Sequence, residues 1–203
     1  MLEFLIDQYK NVPLWKIAAE AIVFVFGIIS VIYARKENVL AYPTGLVCTV
    51  ITVYLLYIAH YYGEVILNTY YSVMSIYGWY KWSKKTNQPD LKITRTNKKE
   101  KIIGLGIFAI TAIITYGVYV FFDYHLEIPN YIDIFTSGLF FTAMWYMALK
   151  KIENWTLFII GDAIAVPLFL HRGYGMLALQ YVIFTILALL AYLEWRKYLA
   201  KQI

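Results

Sequence analysis

The stretch ENWTLFIIGDAIAVPLF, Glu153 to Phe169, is long and apolar enough to be a membrane helix, yet it holds a carboxylate, Asp162, among isoleucine, glycine, alanine and valine. Runs like it recur. The chain has 203 residues, of which 61% are hydrophobic and 15% charged, a balance that a soluble domain of this size does not show. Each run is continuously apolar over roughly 18 to 22 residues, the length of a helix crossing the hydrocarbon core, whereas barrel strands alternate and span in about ten. Seven spans are predicted, at about Ile17 to Ala34, Leu40 to Ala59, Val65 to Trp82, Ile102 to Phe122, Tyr131 to Leu149, Trp155 to Leu170 and Tyr174 to Trp195. MLEFLIDQYK has no basic start followed by an apolar core, so no cleavable signal is expected before them.

Only Lys10, Lys16 and Arg172 fall on the side that holds the N-terminus, and the other fifteen of the eighteen lysines and arginines fall on the opposite side. The positive-inside rule then predicts an external N-terminus and a cytoplasmic C-terminus. The basic stretch KWSKKTNQPDLKITRTNKKEK, Lys81 to Lys101, reads as an orientation signal and solvated tether rather than a nucleic-acid site. A single cysteine, Cys48, offers neither a disulfide frame nor a cysteine metal site. The three histidines, His60, His125 and His171, share no ligand spacing, so no metal is expected.

A weak internal repeat links the halves. Glu37-Asn38 and Gly45 match Glu153-Asn154 and Gly161, while His60, Tyr62-Gly63, Asn68 and Tyr80 match His171, Tyr174-Gly175, Gln180 and Tyr192. The first unit, 17–82, holds three spans and the second, 131–197, holds three more; 83–130 supplies the basic linker and one connecting span. A step of four spans crosses the bilayer an even number of times, so the two units point the same way. Parallel three-helix repeats are a transporter plan with the substrate site between the units near mid-membrane. Pro43 and Pro167 are candidate hinges, since each removes a backbone donor. Gly104 and Gly106 read as close-packing positions in the connecting span.

A carboxylate at mid-membrane is costly, by about 2.5 to 3.5 kcal/mol on insertion scales, so Asp162 is a candidate site residue by default. Trp155, Phe158 and Asp162 follow i, i+3 and i+7 and share one helix face. Two aromatic faces and an acid suit a flat cation. Polar stripes point to the same interior: Asn68, Tyr71, Ser72 and Ser75 on span three, and Asp133, Thr136, Ser137 and Phe140 on span five. Gln180 on span seven stands where the repeat places Asn68. The candidate substrate-binding set is therefore Asn68, Tyr71, Ser75, Asp133, Trp155, Phe158, Asp162 and Gln180. No nucleotide-binding, hydrolase or metalloprotease motif occurs, so neither an enzyme nor a cofactor is expected. Three classes fit: a facilitator, a proton-coupled transporter with Asp162 or Asp133 as carrier, and a non-transporting scaffold whose polar stripes join helices.

The segments IYGWYKW (Ile76 to Trp82), KKIENWTLFIIGDAIAVPLF (Lys150 to Phe169) and GYGMLALQYVIFTILAL (Gly173 to Leu189) resemble the PnuC vitamin transporters, best known for nicotinamide riboside, and the likeness extends over about Ile17 to Lys197. The resemblance implies a fold like that of the SWEET sugar transporters but longer. It also implies facilitated diffusion across the bacterial inner membrane, with a cytoplasmic vitamin kinase trapping the product downstream. The family's nicotinamide riboside pattern has tryptophan and asparagine where this chain has Phe158 and Asp162, and glutamine and asparagine where it has Asn68 and Ser75. Thiamine, which some members carry, is the alternative substrate.

Overall fold

The computed structural model describes residues 12–58, 62–83, 91–122, 126–171 and 175–201, and among these it forms seven helices. They are α1 (Leu14–Arg35), α2 (Ala41–Ile58), α3 (Tyr62–Ser83), α4 (Lys98–Phe121), α5 (Ile128–Ala148), α6 (Glu153–His171) and α7 (Gly175–Ala200). The expectations resting on Lys10, His60, His125, Arg172, Tyr174 and the 84–90 part of the basic stretch fall outside the described residues.

Five of the helices, α1, α2, α4, α6 and α7, are long and apolar enough to cross a membrane. The other two, α3 and α5, have 22 and 21 residues, and at 1.5 Å rise per residue they reach about 33 and 31 Å, which matches the core thickness of about 30 Å. Their lower apolarity comes from the polar stripes on Asn68, Ser72 and Ser75 and on Asp133, Thr136 and Ser137. A helix that buries such groups against other helices need not satisfy lipid all round.

The packing closes a ring. Each of α1–α2, α2–α3, α3–α5, α5–α6, α6–α7 and α7–α1 is in contact, while α4 lies outside, packed on α5 and touching α3. Exchanging α1 with α5, α2 with α6 and α3 with α7 maps the seam α1–α7 onto the seam α3–α5. That exchange is the two-fold relation between parallel repeats about an axis along the membrane normal. Equivalent close approaches occur in both units: an added Cβ on Gly45 would come 3.0 Å from Ser30 Oγ of α1, and one on Gly161 would come 2.5 Å from Phe140 Cε1 of α5.

The proline expectations resolve differently. Pro43 is the third residue of α2, within the first turn whose N–H groups have no intrahelical partner anyway, so it interrupts nothing. Pro167 sits inside α6, where it deprives the Ala163 carbonyl of its donor.

The basic stretch is more than a tether. Ile93 is 1% exposed and belongs to the core with Ile152, Trp155 and Trp195. Thr94 bridges the α5–α6 loop, donating from its N–H to the Lys150 carbonyl at 3.1 Å and accepting from Ile152 N–H at 3.0 Å. Asn97 then opens α4 through a capping box: its side chain accepts from Glu100 N–H, and the Glu100 carboxylate accepts from Asn97 N–H, each at 2.8 Å. The Glu100 carboxylate also pairs with Lys151 at 2.8 Å. The linker thus holds the second unit by its loop.

Candidate functional site

The end of the ring that carries the basic loops is shut by aromatic side chains. Tyr42 of α2, Trp82 of α3, Trp195 of α7 and Trp155 of α6 follow one another with ring centroids 5.0, 6.4 and 5.4 Å apart. Tyr42, Trp195 and Trp155 are each 1% exposed or less. The chain of rings crosses from the first unit to the second, and polar contacts reinforce it there. Arg35 pairs with Glu194, and Trp195 Nε1–H donates to the Arg35 carbonyl at 3.0 Å. Lys150 pairs with Glu37 at 2.9 Å, and its ammonium stands 4.7 Å from the Trp82 ring centre. Glu37 and Lys150 adopt left-handed backbone conformations, with φ of 55° and 51°, in the corresponding loops of the two units.

Above this floor stands Asp162. It is 4% exposed, and among the described residues it has neither a hydrogen bond nor an ion pair. Arg35, Lys150 and Lys151 form their ion pairs at the basic end instead. Phe158 lies one turn below Asp162 on the same face of α6. Its ring is 6.2 Å from that of Phe140 and 6.2 Å from that of Trp155. Phe140 comes close because Gly161 has no side chain to obstruct it.

Phe140 faces into the ring. Gly138 and Thr142 meet Phe108 and Gly104 of α4, and Phe140 lies about 160 to 200° round α5 from them, at 100° per residue. Since α4 is on the outside, that direction is inward. On α6 the exposed Thr156, Ile160, Ala163, Pro167 and Leu170 form one stripe at i, i+4, i+7, i+11 and i+14. Phe158 and Asp162 lie off this lipid-facing stripe.

The remaining candidates are spread around the ring. Ser75 of α3 is 4% exposed, with Oγ 3.9 Å from where a Cβ on Gly45 would stand. Tyr71 packs edge-on against Phe141 of α5 at 5.2 Å, beside Tyr70, whose ring stacks on Phe141 at 3.7 Å. The Asn68 carbonyl accepts from Ser72 Oγ at 3.3 Å, and Ser72 Oγ also donates to Thr49 Oγ1 of α2 at 2.9 Å. Gln180 of α7 lies at the α1 seam, with Nε2 3.8 Å from the Cβ position of Gly27. Asp133 already has a partner in the connecting helix, the Tyr119 hydroxyl of α4. Trp155 is part of the floor, and its indole N–H is buried without an acceptor. Tyr181, which the sequence reading did not single out, stacks its ring on Phe140 at 6.2 Å and 17°.

Residues 17–197 match the family model described as nicotinamide mononucleotide transporter. The nicotinamide riboside transporter PnuC of Escherichia coli (strain K12) is 24% identical over 194 residues, covering 84% of this chain and 81% of that protein. The protein of the same name from Shigella flexneri matches to the same extent. A solved structure described as the crystal structure of the vitamin B3 transporter PnuC superposes with a TM-score of 0.68 at 20% identity, covering 98% of this chain and 90% of that one.

Proposed function

The chain belongs to the nicotinamide mononucleotide transporter family, and from that premise we propose that it mediates facilitated diffusion of a flat heteroaromatic cation, nicotinamide riboside, across the bacterial inner membrane. In this reading the N-terminus is outside, the basic loops are cytoplasmic, and a vitamin kinase in the cytoplasm traps the product without binding the transporter. The lining set is Asn68, Tyr71, Ser75, Asp133, Trp155, Phe158, Asp162 and Gln180. The units 17–82 and 131–197 rock about it, with Pro167 as a hinge.

The observation that carries the reading is Asp162: a carboxylate enclosed by the ring, beside Phe158 and Phe140, that no cation or donor among the described residues reaches. An enclosed unpaired acid is costly to the protein itself. A cationic ring seated there recovers that cost through charge pairing and cation–π attraction. Ser75 and the amides of Asn68 and Gln180 then suit the hydroxyls of a ribose. The sequence contains no nucleotide-binding motif, in keeping with downhill transport.

The same acid supports a second reading, thiamine. Asp162 and Phe158 stand where the nicotinamide riboside pattern has an amide and an indole, and thiamine is a cation without ribose hydroxyls to satisfy.

Calorimetric titration of the detergent-solubilised protein with nicotinamide riboside and thiamine tests both. Asp162→Asn is expected to weaken binding of the true substrate about tenfold or more, the effect of losing a charged hydrogen-bonding partner. Unchanged affinity for both cations, in Asp162→Asn and in Phe158→Ala, would remove the site assignment. Liposome uptake with and without an imposed pH gradient separates diffusion from proton coupling, because a facilitator stops at equal concentrations.

A further inference from the structure

The rings above the floor continue past Asp162. Phe158, Phe140, Tyr181 and Phe169 follow one another at centroid distances of 6.2, 6.2 and 5.1 Å, with interplanar angles of 29°, 17° and 8°. Three helices, α5, α6 and α7, contribute to this ladder, and all four rings are partly exposed, unlike Tyr42, Trp155 and Trp195 of the floor. Phe158, Asp162 and Phe169 are spaced i, i+4 and i+11 and keep to one face of α6, off its lipid-facing stripe. At 1.5 Å per residue, Phe169 stands about 10 Å beyond Asp162. It lies toward the end of α6 away from the basic loops.

We propose that Phe169 and Tyr181 form a second, outer stacking site, from which a flat aromatic ligand is handed by way of Phe140 to the level of Asp162. The near-parallel rings carry this inference. Centroid distances of 5.1 to 6.2 Å leave no room for a ligand between two rings, so a planar ligand meets the exposed part of each ring in turn and passes from one to the next without losing aromatic contact. A path of several weak sites also admits and releases a ligand faster than one tight site does. Asp162 gives the path its direction, since it adds charge pairing to the stacking, whereas Asp133 is already bonded to the Tyr119 hydroxyl of α4. The floor of Tyr42, Trp82, Trp195 and Trp155 then stops the ligand beyond Asp162 until the basic end opens. This inference rests on the flat aromatic cation named under the proposed function and adds residues that the candidate set does not contain.

The test uses the full-length protein in liposomes, with radiolabelled nicotinamide riboside and, in parallel, thiamine, each far below half-saturation. Phe169→Leu and Tyr181→Leu are expected to lower the initial uptake rate about fivefold or more, while calorimetric affinity in detergent stays within about twofold, a loss of access rather than of the central site. Phe169→Tyr and Tyr181→Phe, which keep the rings, should retain uptake. Wild-type uptake in a folded Phe169→Leu protein would overturn the proposal, and so would an equal fall in uptake and affinity. Should Phe169→Leu not fold, Phe169→Met, whose unbranched side chain adapts to the gap, carries the same expectation. Failure of the central site is distinguishable: there Asp162→Asn leaves affinity unchanged, whatever the ladder variants do.

Discussion

In the proposed site Asp162 sets stability against binding. An enclosed carboxylate with no partner among the described residues weakens the empty fold, so Asp162→Asn is expected to raise the thermal unfolding midpoint of the substrate-free protein, by an amount corresponding to about 1 to 3 kcal/mol. Differential scanning in detergent reads this directly, and a lower midpoint would mean that the acid has a structural role after all. This residue was legible because a carboxylate interrupting an apolar run has few explanations. Tyr181 and Phe169 were not, since an aromatic residue in a membrane helix has the same sequence signature whether it faces a ligand, a neighbouring helix or the headgroup region. Trp155 shows the opposite difficulty. Its spacing places it correctly on the face of Phe158 and Asp162, but the floor it joins depends on Trp195 and Trp82, which are distant in sequence.

At the scale of the element, the two glycines of α4 make a controlled pair. A Cβ on Gly104 would fall 2.3 Å from the Tyr146 hydroxyl and 3.2 Å from Thr142 Cγ2, whereas one on Gly106 would meet nothing within 4 Å. Gly104→Ala should therefore cost about 1 to 3 kcal/mol by forcing α4 and α5 apart, while Gly106→Ala should be neutral or slightly stabilising through helix propensity. Thermal unfolding of the two variants side by side checks this. The sequence reading treated both as packing positions, because a Gly-x-Gly spacing does not say which residue faces the neighbour. The start of α4 was readable in outline from the switch to apolar residues at Ile102, but the helix begins four residues earlier, where Asn97 and Glu100 cap it. The burial of Ile93 had no signal at all: one isoleucine among lysines and threonines has no period to betray its direction.

At the scale of the whole molecule, the seven spans and the parallel repeat followed from run length and from the parity of a four-span step. The closed basic end did not, since ion pairs between residues more than 100 positions apart, Arg35 with Glu194 and Lys150 with Glu37, leave no local pattern. Lys150 takes part twice, through Glu37 and through the Trp82 ring. Lys150→Met is expected to loosen the floor: in a Cys48→Ser background, a cysteine introduced by Phe158→Cys should react several-fold faster with a membrane-impermeant maleimide added from the basic side, since partly exposed pairs of this kind hold about 0.2 to 1 kcal/mol each. Equal labelling rates with Lys150 and with Met would show that the rings alone keep that end shut.

The position of α4 outside the ring has a consequence for how such a molecule could arise. Since α4 contributes no wall to the ring, its indispensable service is to bring the chain back to its starting side of the bilayer, so that a second copy of the three-helix unit is threaded in the same sense as the first. Without it, a duplicated unit would emerge upside down. Two separate chains of one unit each, side by side, would need no such return helix to build the same enclosure.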